Sequence, residues 1–238
     1  LMGEIKIRLE AKPVLTMATI YFPKDFVDEI NEYVDKTTLP ANEDYASQLV
    51  GQIRQDKKSA QLDFPMDTGF GKKFKNTIDN CATKLLKQGF KRELTAHAYE
   101  CWTVHSFSGD YNLLHDHGVE TDVTPIGMSS VLYLKVPDCI KEKSKSIKGD
   151  KGYIELDHNN ASGDVDGFTQ LLWGVTSRKE MLDLRHPSSE YVFPEEGKMI
   201  IFPHWLFHSV TPFFGKGERR TLAANFSCRG LPKERQVS

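Results

Sequence analysis

The sequence predicts an α+β fold in which a double-sheet jelly roll is backed by N-terminal helices. Two observations predict it. Helix-period patterns dominate the first hundred residues, and from about Leu94 onward short β-rich runs alternate with turn residues. Many short strands without intervening helices favour a sandwich or barrel over a parallel α/β sheet. We therefore expect a single domain over residues 1–238, with helical support from 1–92 and a jelly-roll core from 93–230.

Two segments carry the helical pattern. After Pro23, apolar residues recur at helical spacing between Phe26 and Val34. They recur again between Phe74 and Leu86, and Gly89 stands where a C′ glycine would end the helix. Each helix is expected to cover an apolar surface.

Five later runs have the composition of strands, namely Leu94–His105, Ser129–Val136, Gly152–Leu156, Lys198–Phe202 and Arg219–Cys228. The lysine-rich stretch Lys141–Lys151 is predicted to be a solvated connector between two of them. The insert His158–Glu190 is long for a compact domain, and such segments commonly cover active sites. We expect this insert to act as a lid.

Composition excludes several classes of function. Lys+Arg 31 against Asp+Glu 33 gives a net charge of −2, so the excess of positive charge typical of nucleic-acid binding is missing. No apolar run reaches the roughly 18–20 residues of a membrane-spanning helix, and the N-terminus has no signal-peptide core. The four cysteines form no C-x-x-C pair. We therefore expect reduced thiols, a cytoplasmic location and no nucleic-acid or membrane partner.

A group of histidines predicts a metal site. In an extended strand, residues i and i+2 face the same way, so His115 and His117 can bind one ion while Asp116 faces away. His208 lies just past a predicted buried strand, which in a jelly roll can bring a third imidazole to the same ion. His204 is expected to be a loop residue near the mouth of the site.

The last predicted strand carries a carboxylate-binding pattern. Alternation places Arg219, Thr221 and Asn225 on one face and Arg220 on the other. A guanidinium binds both oxygens of a carboxylate, and a hydroxyl two residues later adds a further hydrogen bond. Arg219 and Thr221 are therefore candidate ligands for an acid, whereas Arg220 is expected to point outward.

Together these residues resemble the iron(II)- and 2-oxoglutarate-dependent dioxygenases, most closely their small prolyl-hydroxylase-like branch, which is often found in marine microbial and phage genomes. The similar region runs roughly from Tyr99 to Cys228. Its most specific part is Phe193–Asn225, with Pro-x-x-Gly, Phe-Pro, His-Ser-Val-x-Pro and Glu-Arg-x-Thr elements. If the protein is phage-encoded, the expected location is the host cytoplasm.

The resemblance implies a double-stranded β-helix core, Fe(II) as cofactor and 2-oxoglutarate and dioxygen as co-substrates. It also implies hydroxylation of a peptidyl or small-molecule substrate, with release of succinate and CO₂. Arg219, Thr221 and Tyr133 would hold the distal carboxylate of 2-oxoglutarate, with Asn225 as a further candidate.

The ligand motif departs from the family pattern, which is His-x-Asp or His-x-Glu plus a distal histidine. The residues two places after His115 and His117 are not acidic. Either His117 replaces the carboxylate, or Glu120 or Asp122 supplies it, or it is absent, as in halogenating relatives. We favour His115, His117 and His208 as the ligands.

Two other classes remain compatible with the sequence. One is a cupin-like metal enzyme that does not use 2-oxoglutarate, and the other is a non-catalytic jelly-roll binding module. Arg219 discriminates against the cupin, which has no need of a buried strand arginine facing its metal. Ligand binding by a non-catalytic module should persist after the metal is removed.

Overall fold

The computed structural model describes residues 5–11, 15–43, 51–52, 61–117, 126–147, 165–174 and 189–230. Its strands are β1 Lys6–Ala11, β2 Thr16–Tyr21, β3 Gly51–Gln52, β4 Gln61–Asp63, β5 Leu94–Ser106, β6 Tyr111–His115, β7 Gly127–Lys135, β8 Thr169–Leu172, β9 Ser189–Val192, β10 Lys198–Pro203, β11 Phe207–Val210 and β12 Arg219–Gly230. Its helices are α1 Lys24–Tyr33, α2 Leu39–Ala41, α3 Gly69–Lys84 and α4 Asp138–Ile147.

Within these ranges the strands form two sheets, and every pairing between them is antiparallel. The larger sheet has the order β1-β2-β10-β7-β12-β5-β4, and the smaller has the order β3-β6-β11-β8-β9. Residues of both sheets line one cavity, so the sheets face each other across it. An α+β chain dominated by antiparallel strands was predicted, and this level of the prediction is confirmed.

The core has two parts. One lies between the larger sheet and helices α1 and α3, and includes Ile20, Phe26, Ile30, Phe74, Ile78 and Leu222. The other lies between the sheets, and includes Tyr133, Phe168, Leu171, Ile200 and Phe202. Burying each large apolar side chain contributes roughly 1.5–3 kcal/mol. The larger sheet is thus packed on one face by helices and on the other by the smaller sheet.

The predicted helices form, with one difference at the end of the second. α1 begins directly after Pro23, as expected. α3 ends at Lys84 and continues as a π-helical turn, Leu85–Gly89. Because of that extra turn, the left-handed residue that follows is Lys91, with φ 54°, and the prediction of Gly89 as the C′ glycine is wrong.

The first 92 residues contribute more than helices. The sequence predicts no strand there, whereas β1, β2 and β4 extend the larger sheet and β3 extends the smaller one. β2 pairs with β10, which places the N-terminal segment beside a predicted core strand. Of the five predicted strands, Gly152–Leu156 lies outside the described residues, and the other four form with small shifts at their ends.

Two predicted loops differ from expectation. Within the lysine-rich stretch, residues up to Ile147 belong to α4, so this part of the predicted connector is helical. The described middle of the insert, 165–174, contains β8, and Phe168 and Leu171 are buried in the core between the sheets. This part contributes to the core, while the rest of 158–188 lies outside the described residues.

The four cysteines are free thiols, as predicted. None of the helices in the described ranges is long and apolar enough to cross a membrane.

Candidate active site

Three histidines meet on the smaller sheet where β6 ends. His115 ends β6 and is the register partner of His208 on β11, and His117 follows two residues after His115. Their candidate ligand atoms all lie within 4.8 Å of one another, and this is the metal-capable group found among the described residues. The spacing predicted from alternation therefore places these imidazoles together.

The turn after β10 delivers His208 to this group. β10 ends at Pro203, and the chain returns as β11, in which side chains alternate between the two faces of the sheet. Phe207 is 46% exposed and points outward, whereas His208 is 5% exposed and points inward. The connection from β10 in the larger sheet to β11 in the smaller sheet thus sets which imidazole enters the cavity.

Two of the imidazoles, those of His117 and His208, are held neutral. Burial lowers the pKa of His117 to about 3, reinforced by repulsion from His208, His115 and His204 in their charged forms. Burial together with the same repulsion from His115 lowers the pKa of His208 to about 4. Neutral imidazole is the form that binds a metal, so at neutral pH these nitrogens offer lone pairs.

Backbone carbonyls orient two of the rings. The Nδ1 atom of His115 lies 2.7 Å from the oxygen of Leu113, and that of His208 lies 3.0 Å from the oxygen of Leu206. A carbonyl can only accept, so each Nδ1 carries the proton and each Nε2 is left with its lone pair. The local backbone therefore selects the tautomer that a metal site needs.

The spacing of the nitrogens fits an ion. The Nε2 atoms of His117 and His208 are 3.2 Å apart. Two imidazole nitrogens at right angles on one ion, each about 2.1 Å from it, would be about 3 Å apart. The residues present thus fit a first-row divalent metal.

The acidic residues that follow His115 in sequence are Asp116, Glu120 and Asp122. Asp116 is exposed and does not belong to the histidine group, although it borders the same cavity. Glu120 and Asp122, the alternative carboxylate ligands, lie outside the described residues.

His204 is not a residue of the mouth, contrary to expectation. It is 3% exposed, and its ring packs on Gly127, where a Cβ atom would lie 2.2 Å from the His204 Nδ1. Its ring centroid lies 6.1 Å from that of His117. It therefore packs behind the histidine group.

Arg219 is almost completely buried on the cavity side of β12, at 1% exposure. Its Nε donates a hydrogen bond to the oxygen of Gly167 at 2.9 Å, and its Nη2 donates to Thr169 Oγ1 at 3.4 Å. Gly167 has a φ of +73°, and a Cβ there would lie 2.3 Å from the Ile140 side chain, so only glycine fits this turn. The predicted insert thus anchors the guanidinium.

Tyr133 lies behind the arginine. It is fully buried, the Arg219 guanidinium lies 5.3 Å from its ring centroid, and its hydroxyl donates to Thr169 Oγ1 at 2.7 Å. Thr221 is 3% exposed and borders the cavity two residues along the same strand. The structure therefore brings Arg219 and Thr221 to the cavity as predicted, and places Tyr133 where it supports Arg219.

Thr169 is a site residue that the sequence analysis missed. It is fully buried, borders the cavity and accepts hydrogen bonds from both Arg219 and Tyr133. Its strand, β8, is only four residues long, and the sequence Thr-Gln-Leu-Leu does not alternate between apolar and polar residues, so nothing in it predicted a strand within the insert.

Asn225 borders the same cavity at its other end. Its Oδ1 accepts a hydrogen bond from Ser129 at 2.9 Å, and its Nδ2 donates to Glu100 Oε2 at 2.9 Å. Six residues of strand separate it from Arg219, or about 20 Å at 3.3 Å per residue. A small diacid held by Arg219 would not reach it, so its prediction as an anchor for the same carboxylate is not supported by this geometry.

Arg220 faces away from the cavity, as alternation requires, but it does not point outward into solvent. It is 2% exposed and forms ion pairs with Asp35 at 2.8 Å and Glu218 at 3.0 Å. Its Nη1 also donates to Asn31 Oδ1 at 3.1 Å. The expectation of an outward-pointing side chain is wrong, because α1 covers this face of the sheet.

The histidines and Arg219 border one cavity of about 320 Å³ between the two sheets. This volume suits a small ligand. A metal-capable group and a buried cation bordering one small cavity can hold an ion together with an anionic chelator.

A family model described as a 2OG-Fe(II) oxygenase matches residues 100–225, more than half of the chain. The chain belongs to this family. The expected cofactor and co-substrate, iron(II) and 2-oxoglutarate, are those for which the family is named. No curated protein is similar enough in sequence to match the chain.

Solved structures of low sequence identity share the fold. The carbocyclase SnoK from nogalamycin biosynthesis has a TM-score of 0.54 and 10% identity over 89% of this chain and 79% of its own. Iron-bound HygX from Streptomyces hygroscopicus has a TM-score of 0.51 and 10% identity over 89% and 81%. A 2OG-Fe(II) oxygenase-family oxidoreductase from Burkholderia pseudomallei has a TM-score of 0.50 and 13% identity over 88% and 84%.

Proposed function

We propose that this oxygenase is a 2-oxoglutarate-dependent hydroxylase of a peptidyl or small-molecule substrate, with succinate and CO₂ as co-products. The observation that carries the proposal is that three imidazoles and one buried guanidinium border the same small cavity. The proposed reaction class rests on family membership, and the proposed roles of the residues rest on their positions around the cavity. The two facing antiparallel sheets support the interpretation of the core as a jelly roll.

His115, His117 and His208 are the proposed iron ligands. When bound, Fe(II) supplies the activation of dioxygen that is coupled to oxidative decarboxylation of 2-oxoglutarate. Three neutral imidazoles leave the full double charge of the ion in place, whereas a carboxylate ligand would cancel one unit. A site of this kind favours an anionic chelator next to the metal.

Arg219 is the proposed partner of the distal carboxylate of 2-oxoglutarate, with Thr221 as a second donor. A charge-assisted pair is strong in a cavity that excludes water, and Arg219 is already fixed before the ligand arrives. Gly167, Thr169 and Tyr133 hold the guanidinium in place, so less conformational entropy is lost on binding. Tyr133 and Thr169 act through Arg219 and are positioning residues.

A cupin-like enzyme without 2-oxoglutarate is the weaker candidate. It accounts for the three histidines but gives no role to a buried arginine facing their cavity. Burying an uncompensated guanidinium is costly, so a site that keeps one is adapted to an anion.

Anaerobic titration with ferrous iron, with and without 2-oxoglutarate, tests this proposal. A weak visible charge-transfer band should form only when both are present. Arg219→Ala should retain iron but lose the band at moderate 2-oxoglutarate concentrations. Arg229→Ala is the matched control, because Arg229 is an exposed arginine on the same strand. The proposal fails if the wild-type protein forms no band, or if the two variants behave alike.

A further inference from the structure

We propose that the end of the cavity remote from Arg219 recognises an organic cation, so that the substrate carries an ammonium or guanidinium group. This inference rests on the proposed function, because it concerns what lies beside the metal once Arg219 is occupied by 2-oxoglutarate. Three observations support it: a β-bulge, acidic side chains and aromatic side chains that border the cavity.

The strand irregularity is a β-bulge in β5. Asn225 of β12 is the register partner of Glu100, and the next residue, Phe226, is the partner of Ala98, so Tyr99 is the extra residue. Because of the bulge, two consecutive side chains, Tyr99 and Glu100, both border the cavity. In a regular strand one of them would face the helices. Bulges commonly re-aim side chains beside active sites.

Apart from Arg219, the charged side chains that border the cavity are carboxylates. Glu100 and Asp116 both border the cavity, Glu100 as the register partner of Asn225 and Asp116 between His115 and His117. Among the described residues that line the cavity, Arg219 is the one permanent cation. It lies about 20 Å along β12 from Asn225, which is the register partner of Glu100. Once 2-oxoglutarate neutralises Arg219, the part left for the substrate carries two carboxylates and no fixed positive side chain from the described lining.

The walls at this end are aromatic. Trp102 follows Glu100 on the cavity face of β5, and its ring centroid lies 5.9 Å from that of His117. Tyr99 is 39% exposed. Ring faces attract cations through their quadrupole, and carboxylates attract them through charge. Both kinds of group therefore select for the same ligand, close to the metal.

Glu100 is positioned for this role by a neutral partner. Asn225 Nδ2 donates to one of its carboxylate oxygens, and the amide is itself held by Ser129. The amide donor orients the carboxylate. The assignment also gives Asn225 a role, as a positioning residue for the substrate end of the cavity.

The test uses matched pairs of blocked amino acids that differ in charge but not in length. The pairs are N-acetyl-lysine methylamide with its 2-aminoheptanoic acid analogue, whose side chain is n-pentyl, and N-acetyl-arginine methylamide with its citrulline analogue. The full chain is loaded with Mn(II) and 2-oxoglutarate, and paramagnetic broadening of the probe's proton signals reports binding near the metal. The cationic member of at least one pair should bind about tenfold more tightly than its neutral partner.

Variants of Glu100 and Asp116 test whether these carboxylates cause the preference for the cationic probe. Glu100→Gln and Asp116→Asn should each reduce the preference for the cation severalfold, and the double variant should remove it. Glu93→Gln is the control, because this acid is 80% exposed and lies just before β5. In every variant the ferrous 2-oxoglutarate band shows that the metal site is intact.

The outcomes are distinguishable. If the band forms but neither pair shows a charge preference, the inference about the substrate is wrong and the proposed oxygenase function stands. The inference is also wrong if the double variant keeps the preference, or if Glu93→Gln removes it. If the wild-type protein forms no band, the proposed function fails, and the inference fails with it.

Discussion

Replacing Glu218 by glutamine should destabilise the protein in a pH-dependent way. Glu218 precedes Arg219 and lies on the helix side of the sheet, where His105 Nδ1 is 2.6 Å and Arg220 Nε 3.0 Å from its Oε1. Lys135 Nζ is 3.3 Å from its Oε2. Burial by itself would raise the pKa of this carboxyl, but the His105 hydrogen bond and the Arg220 charge outweigh it and lower the pKa to about 2.

The magnitude follows from linkage. A carboxyl with an ordinary pKa of 4.5 in the unfolded chain and about 2 in the folded protein contributes about 3 kcal/mol at pH 7. Because the folded pKa is the lower one, this stability is present above pH 4.5 and is lost as the pH falls toward 2. At pH 3 about 1 kcal/mol of it remains.

Urea unfolding of wild type and Glu218→Gln at pH 7 and pH 3 measures this contribution. The free energy of unfolding of Glu218→Gln should be lower than that of wild type by about 3 kcal/mol at pH 7 and by about 1 kcal/mol at pH 3. Glu29→Gln is the control, since the pair of Glu29 with Lys73 is 46% and 42% exposed and should contribute less than about 1 kcal/mol. An equal difference at both pH values would refute the reasoning, as would a Glu218 variant as stable as wild type.

Other outcomes follow from the site. Arg219→Ala should weaken 2-oxoglutarate binding by roughly 30- to 1000-fold, measured by titrating the charge-transfer band, while iron content after dialysis stays unchanged. Tyr133→Phe should weaken the same binding by only about three- to tenfold, because it removes one hydrogen bond to Thr169; no change would show that this bond does not position the guanidinium. His208→Ala should lose iron and Asp116→Asn should keep it; loss of iron from the aspartate variant would contradict the assigned ligand set.

Local pattern accounts for the parts of the site that lie on one strand. Alternation in β12 placed Arg219 and Thr221 on the cavity face, and alternation across the His-x-His pair placed His115 and His117 on one side. Side-chain direction in an extended chain depends only on the backbone of that segment. For this reason these orientations could be predicted without knowing what the strands pack against.

Burial and partners depend on chain segments that are distant in sequence. Arg220 was expected to be outside, yet Asn31 of α1 and Asp35 just after α1 bind its guanidinium. Thr169 was assigned to a lid, yet its strand pairs with β11 and its hydroxyl accepts from Arg219. Neither contact leaves a trace in local periodicity, because each forms only when the sheets and helices assemble.

The sequence by itself determined the strand-rich core, the helices that cover it, the histidines able to share a metal and the arginine facing them. Only the tertiary structure decided that N-terminal strands extend both sheets, that the insert supplies β8, and that a bulge turns Tyr99 toward the cavity. The physical reason is separation along the sequence. Strand alternation and helical periodicity depend on residues within one segment, whereas strand pairing, a one-residue register shift and burial depend on contacts between distant segments.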